Sequence, residues 1–263
     1  LYPFSIAHVT LNNLTMQLIT HLDDKVAGAG FRSGNRLWSD SLEHARSLLK
    51  PKCRVLYAGG HLGSAAIYLA KAEPSATIYC FEPDPLNFAL LTVNLHLNQV
   101  QNIHAFPYAL GKSGQYISFF KSAWDSSDHR CAMPKSSDME VSIFRSLPYK
   151  IQMVNPVEMF SNCYGFTVPP LMDLIVIDTQ GADFAIIEAC LPLVSKDTTI
   201  IAEYSPYHLY RYGTTREDAA RVLKHFSRIS LSREQPATVQ QLLAIYDDYY
   251  AQYKGFYDIC LRK

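Results

Sequence analysis

The sequence has no excess of charge. Its 24 Lys and Arg residues balance 24 Asp and Glu, so no overall field draws the chain to nucleic acid or to an anionic membrane. Long apolar runs are missing too. The longest stretches, such as LMDLIVI at 171–177, fall far short of the about 20 residues that a bilayer-spanning helix needs, and the chain reads as soluble. Six cysteines include no CxxC pair and none with a histidine in ligand spacing, which argues against a structural zinc or any other metal site. Cys53, Cys80 and Cys260 sit in apolar segments, where a free thiol behaves as a small buried hydrophobe; this favours a reducing, cytoplasmic compartment. No internal repeat is visible. LYPFSIAHVT lacks the basic start and long apolar run of a signal peptide, and an opening on Leu1 fits a piece of a longer protein.

What is present is a high apolar content, 48% of 263 residues, enough to bury one large α/β core. Residues 1–50 are expected to form accessory helices: no clear period over 1–36, then a helix from Asp40 that Pro51 stops. From 51 to 263 a regular alternation sets in. Strands are expected at 53–57, 77–82, 102–107, 172–178 and 197–203, and helices at 62–72, 84–97, 182–192 and 215–226. Repeated βα units of this kind build a doubly wound, mostly parallel sheet covered on both faces. YISFF at 116–120 reads as a strand, the polar stretch 121–140 as a mobile surface loop, and KIQMVNPVEMF as a strand running into a helix at its proline. The chain's end reads as a last strand at the sheet edge, with the tyrosines before it in packing roles.

In a doubly wound sheet, ligands lie across the carboxyl ends of the strands. After the first strand come Gly59, Gly60 and Gly63, a turn where a nucleoside or an aminoacyl chain can meet main-chain N–H groups. After the second comes FEPDP, whose Glu82 follows the glycines by about 20 residues, the spacing of an acid that accepts hydrogen bonds from two ribose hydroxyls. Pro83 and Pro85 set the exit direction, and Asp84 reads as a helix cap. LIVID ends in Asp178, a candidate general base or cofactor anchor, because a carboxylate ending an apolar strand is costly unless the crevice uses it. Glu203 ends the fifth strand in an equivalent place, and His208 behind it is a candidate proton acceptor.

In this order, YAGGHLGSAAIYLA, CFEPDPLNFALLTVNLHLNQVQNIHAFPYALG and LIVIDTQGADFAIIEAC resemble the FkbM family of S-adenosylmethionine-dependent methyltransferases. That family shares a D-x-G-A-N-x-G loop, F-E-P-x-P, an N-x-x-x-N helix end and I-D-x-E-G-x-E. FEPDP, Asn94, Asn98 and Ala109-Leu110-Gly111 carry the likeness, which covers about residues 53–203. It implies a seven-stranded, Rossmann-like class I methyltransferase fold and transfer of the cofactor methyl to a hydroxyl of a sugar or small natural product. By position, Gly59, Gly60, His61 and Gly63 would border the methionine part, Glu82 and Pro83 the ribose, and Phe106, Tyr108 and Ala109 the adenine. Asp178 and Glu203 would face the methyl group and acceptor, with His208 a further candidate base. The partner implied is a small-molecule or glycan acceptor, with no nucleic acid or membrane. Tyr57 stands where the family has the loop aspartate, Gly60-His61 replaces Ala-Asn, and Gln180 and Asp183 replace the two later glutamates. Two alternatives follow: a domain that keeps the fold as a binding or scaffolding unit, and an NAD-dependent oxidoreductase, for which G-x-G-x-x-G is imperfect because Ala58 occupies its first position.

Overall fold

A computed structural model describes residues 4–34, 40–112, 114–133, 147–231 and 235–263. The chain begins with a hairpin, β1 (Phe4–Leu11) and β2 (Leu14–His21), in full antiparallel register from Phe4 opposite His21 to Leu11 opposite Leu14. Residues 4–21, expected to belong to an accessory helix and loop, are thus a hairpin. Ala7, Val9, Leu11, Met16 and Leu18 are buried at a period of two. The link is Asn12-Asn13 with φ of 47° and 65°, the left-handed pair that a tight hairpin turn requires and that asparagine tolerates. Two short helices follow, α1 (Ala27–Arg32) and α2 (Asp40–Ser47).

The alternating region then runs β3 (Arg54–Ala58), α3 (Ser64–Ala72), β4 (Thr77–Phe81), α4 (Pro85–Leu97) and β5 (Ile103–Phe106). Asp84 caps α4 as expected, its Oδ1 accepting from the N–H groups of Leu86 and Asn87 at 3.0 and 2.8 Å. A small separate sheet follows: β6 (Ala109–Leu110), β7 (Gln115–Phe119) and β8 (Tyr149–Val154), in the order β6-β8-β7. The expected loop at 121–140 lies partly outside the described residues. Next come α5 (Pro156–Tyr164), β9 (Met172–Ile177), α6 (Asp183–Cys190), β10 (Val194–Tyr204), α7 (Pro206–Tyr212), α8 (Arg216–Leu223), β11 (Arg228–Leu231), β12 (Gln235–Ala237), α9 (Val239–Tyr249) and β13 (Tyr257–Arg262).

The main sheet has the order β12-β11-β13-β10-β9-β3-β4-β5. The pairs from β10 across to β5 are parallel, while β13, β11 and β12 join antiparallel. It therefore has eight strands where seven were expected. The eighth is the three-residue β12, which carries Pro236 and so suits only an edge. Strands β3, β4, β9 and β10 are buried almost throughout, as a sheet covered on both faces demands. One apolar cluster, with Phe160, Phe184 and Leu242, lies on one side, and a second, with Leu62, Tyr68 and Met16, on the other.

Helix α4 joins the hairpin to this core. Asn94 accepts from Ile19 N at 2.7 Å and donates to Ile19 O at 3.2 Å and Leu62 O at 2.9 Å. Asn98 does the same one strand period away, accepting from Gln17 N at 3.1 Å and donating to Gln17 O at 2.7 Å. Positions i and i+4 of a helix thus match i and i+2 of a strand, and two amides replace the missing neighbour of β2.

Candidate functional site

The chain places β3 first, adds β4 and β5 on one side, and returns to lay β9 on the other. The order therefore reverses between β3 and β9, which opens a crevice above their carboxyl ends. Gly59 and Asp178 stand on its two sides, and Asp178 N donates to Ala58 O at 3.0 Å.

A cavity of about 220 Å3 fills the crevice and is lined by Gly59, Gly60, His61, Glu82, Pro83, Tyr108, Ala109 and Asp178 among others. The glycines serve a different purpose from the one expected. A Cβ on Gly59, whose φ is +91°, would stand 1.8 Å from the Asp178 carbonyl oxygen, and one on Gly60 would stand 2.6 Å from Cys80 Sγ. The loop needs glycine to approach its own sheet. Its N–H groups are also engaged: Gly59 and Gly60 both donate to Phe81 O, at 3.0 and 2.9 Å, and Gly63 donates to Gly60 O at 2.8 Å. Gly63 caps α3 with φ of 85° and is not part of the cavity wall. Phe106 is absent from that wall as well; it stacks on Phe81 with ring centroids 5.0 Å apart.

Glu82 is 5% exposed. Its Oε2 accepts from His61 N at 2.7 Å and its Oε1 from Asp84 N at 2.9 Å. Two carboxylate oxygens offer about four acceptor sites; the two N–H groups and the Asn87 side chain engage three of them, which leaves one for a ligand. Burial first, and the Asp84 charge after it, push the Glu82 carboxyl up to about 8 against these amides. His61 is held neutral, pushed down to about 3 by burial. Its Nε2 lies 2.7 Å from Ser126 Oγ, and Ser126 in turn donates through its hydroxyl to Asp24. This chain ties the segment after the hairpin and the loop at 126 over the glycine turn. Asn87 adds to the roof, donating to Ser126 O at 2.9 Å and bonding His21 Nε2 at 2.8 Å. Asp24, Asn87 and Ser126 carry no local signal, because each acquires its role only from partners distant in sequence.

A second cavity of about 380 Å3 adjoins the first and holds Glu203, His208, Arg130, Tyr253 and Asp258. The two share Leu42, Tyr57, Ser127, Asp178 and Gln180. Tyr57 stands in the common wall, and the first hollow stays open beside it. Gln180 Nε2 donates to Asp178 Oδ1 at 2.8 Å. Asp178 is exposed to the water of the crevice; the protein packed around its carboxyl, then the Glu203 charge, raise it to about 7. Glu203 and His208 border only the second cavity. His208 is a buried residue of α7, 3% exposed, with Nδ1 3.7 Å from Glu203 Oε1. Ser205 caps α7, which starts at Pro206, and the helix carries the His208 ring inward. Asp183 spends its carboxylate on the turn before α6, accepting from Gly181 N at 2.9 Å and Thr179 N at 3.2 Å.

Residues 58–233 match the Methyltransferase FkbM domain, more than half of the chain. The chain belongs to the FkbM methyltransferase family. Methyltransferase 1 of Beauveria bassiana is 25% identical over 141 residues, which cover 51% of this chain and 56% of that protein. The chain thus spans little more than half the length of that relative. The 2-O-methyltransferase NoeI of Sinorhizobium fredii is 27% identical over 192 residues, covering 68% of this chain and 76% of that one. The crystal structure of precorrin-6y C5,15-methyltransferase from Geobacter metallireducens superposes with a TM-score of 0.47 at 10% identity, over 85% of this chain and 87% of that one. Family membership favours methyl transfer over the nicotinamide reading. The loop agrees, since N–H groups that would cradle a pyrophosphate are already engaged inside the protein. Among the described residues no group of three or more His, Cys, Asp and Glu is arranged for a metal ion, and no helix is long and apolar enough to cross a membrane.

Proposed function

We propose that the first cavity holds S-adenosylmethionine and that the enzyme methylates a hydroxyl oxygen, on a small molecule or glycan, presented from the second. One observation carries this reading: two adjoining hollows share a wall that contains Asp178, and the buried carboxylate of Glu82 lies on one side only. The residues of the first hollow fit the cofactor. Glu82 retains acceptor capacity for a ribose hydroxyl, and the Asn87 amide that bonds it can yield to a second. Phe81, Tyr108, Ile117 and Phe119 offer apolar surface for a flat base. When bound, the cofactor supplies a methyl carbon on a positively charged sulfur, which keeps the electron pair as the carbon–sulfur bond breaks and the carbon–oxygen bond forms.

The protein's part is alignment and proton removal. Asp178, raised to about 7 by the protein packed around its carboxyl and by Glu203, accepts the hydroxyl proton, a task suited to a base poised near neutral pH. Gln180 restrains one Asp178 oxygen through the 2.8 Å hydrogen bond and leaves the other for the acceptor. Ser126, His61 and Asp24 close the roof and limit water access. The name of the rhizobial relative specifies methylation at oxygen, which supports the choice of nucleophile. Calorimetric titration with S-adenosylmethionine tests the first half of the reading. Transfer of labelled methyl groups to a panel of hydroxylated sugars tests the second. Heat of binding and labelled product support the proposal; no binding at millimolar cofactor overturns it.

A further inference from the structure

The second cavity carries a charge pattern that methyl transfer alone does not require. Asp125, Asp128, Asp178, Glu203 and Asp258 line it, and among the described residues Arg130 is its only lysine or arginine. Its Nε and Nη2 grip the two oxygens of Asp128 at 2.7 and 2.9 Å, and its charge also reaches Glu203, one cation against five carboxyl groups. The remaining carboxylates crowd together, and Glu203 of β10 lies directly opposite Asp258 of β13 in the antiparallel register. Like charges placed so are destabilising.

Glu203 gives the independent sign of a ligand. It is 7% exposed, its Oε1 is the atom near His208, and its Oε2 is buried without a hydrogen-bond partner among the described residues. An acceptor buried in that way carries the full cost of its lost hydration, and in a native structure it calls for a group that completes it. Burial, then Asp183 and Asp258, hold the Glu203 carboxyl well above the usual carboxylate range. A cation would relieve that strain. The rings of Tyr57, Tyr253 and Phe256 share the wall and favour an organic ammonium, which aromatic faces attract.

We infer that the acceptor is a hydroxylated molecule bearing a protonated amine, an amino sugar or amino alcohol, with its ammonium group received by Glu203 and Asp258 and a nearby hydroxyl against Asp178. The inference rests on the reading that the second cavity holds the acceptor. The topology suits such a molecule. Ile177 pairs with Ala202, so Asp178 and Glu203 leave neighbouring strands at one level, about 4.8 Å apart, a span that a single sugar ring bridges.

Ligand-observed saturation-transfer NMR with glucosamine, N-acetylglucosamine and glucose tests this, using the whole chain with and without S-adenosylmethionine. Glucosamine should bind about tenfold more tightly than either neutral sugar, the effect of one charged hydrogen bond, and Glu203→Gln should abolish the preference. Asp258→Asn serves the same purpose if the first variant does not fold. No glucosamine binding, equal affinity for the three sugars, or a preference that persists in the variants overturns the inference. Cofactor binding in the same samples is scored separately. Cofactor binding without amine preference removes this inference alone, whereas amine preference without cofactor binding leaves an ammonium site and removes the methyl-transfer reading.

Discussion

Glu82→Gln is the most informative perturbation, because it preserves shape while removing the charge and one acceptor. The two oxygens of Glu82 are met by the N–H groups of His61 and Asp84. Glutamine can satisfy only one, and the other N–H then faces an amide donor, at a cost of about 1 to 3 kcal/mol. The lost charge works the other way. The carboxyl rises from an ordinary 4.5 to about 8, and each tenfold change in proton affinity is worth about 1.4 kcal/mol, so ionising Glu82 in the folded state costs on the order of 4 to 5 kcal/mol. The folded protein keeps this proton where the unfolded chain has lost it. The stability contribution is therefore complete below about 4.5, declines through the window up to about 8, and is gone above it. Glu82→Gln should accordingly be less stable than the wild type at pH 5 and at least as stable at pH 8.5, read from thermal unfolding. Cofactor binding gives the second readout. Losing one charged hydrogen bond of about 1.5 to 3 kcal/mol should raise the Kd for S-adenosylmethionine and S-adenosylhomocysteine alike by about 10- to 150-fold. In the wild type, affinity should climb between pH 6 and 8 as the carboxylate forms, and the variant should lose the part of that climb due to Glu82. A folded variant that binds both compounds within threefold of the wild type, with the pH slope intact, would refute the ribose clamp.

Asp178→Asn should lower kcat by about 100-fold or more, as loss of a general base does, and should remove the rising limb near pH 7 from the rate profile. It should also weaken S-adenosylmethionine more than S-adenosylhomocysteine, because only the former carries a sulfonium charge; equal effects on both would place Asp178 away from the methyl group. Asn94→Ala strands both main-chain groups of Ile19 and the Leu62 carbonyl. Denaturant titration should show a loss of about 2 to 4 kcal/mol, with hydrogen exchange increased first along β2. Gly59→Ala drives a Cβ to within 1.8 Å of a backbone oxygen at φ of +91°, where no flexible side chain can yield. It should cost more than about 4 kcal/mol and leave little folded protein by circular dichroism.

Much of the architecture was legible from local pattern. Apolar runs ending at Ala58, Phe81, Ile177 and Tyr204 are strands for the reason expected: a covered parallel sheet leaves no room for polar alternation. The residues just beyond, Glu82 and Asp178, follow from the same rule, since the carboxyl ends of such strands face the crevice. The hairpin at 4–21 escaped because an exposed Ile6 and a buried Thr20 blur its alternation and its turn is formed by two asparagines, without the usual glycine. The glycine loop was found in the right place with the wrong partners. A glycine's conformational freedom is written in the sequence, but what its missing Cβ would have struck is not.

What the sequence determined alone is the alternation of the main strands and helices from β3 to β10 and the two acids at strand ends, because these depend on residues within one turn or one strand of each other. The tertiary structure alone decided that Asn94 and Asn98 would complete a hairpin edge some 75 residues away, that His208 would turn inward to Glu203, and that one wall would divide two cavities. Each of those outcomes depends on which polar group a side chain meets across space, and a buried group takes whatever partner the packed fold brings within reach.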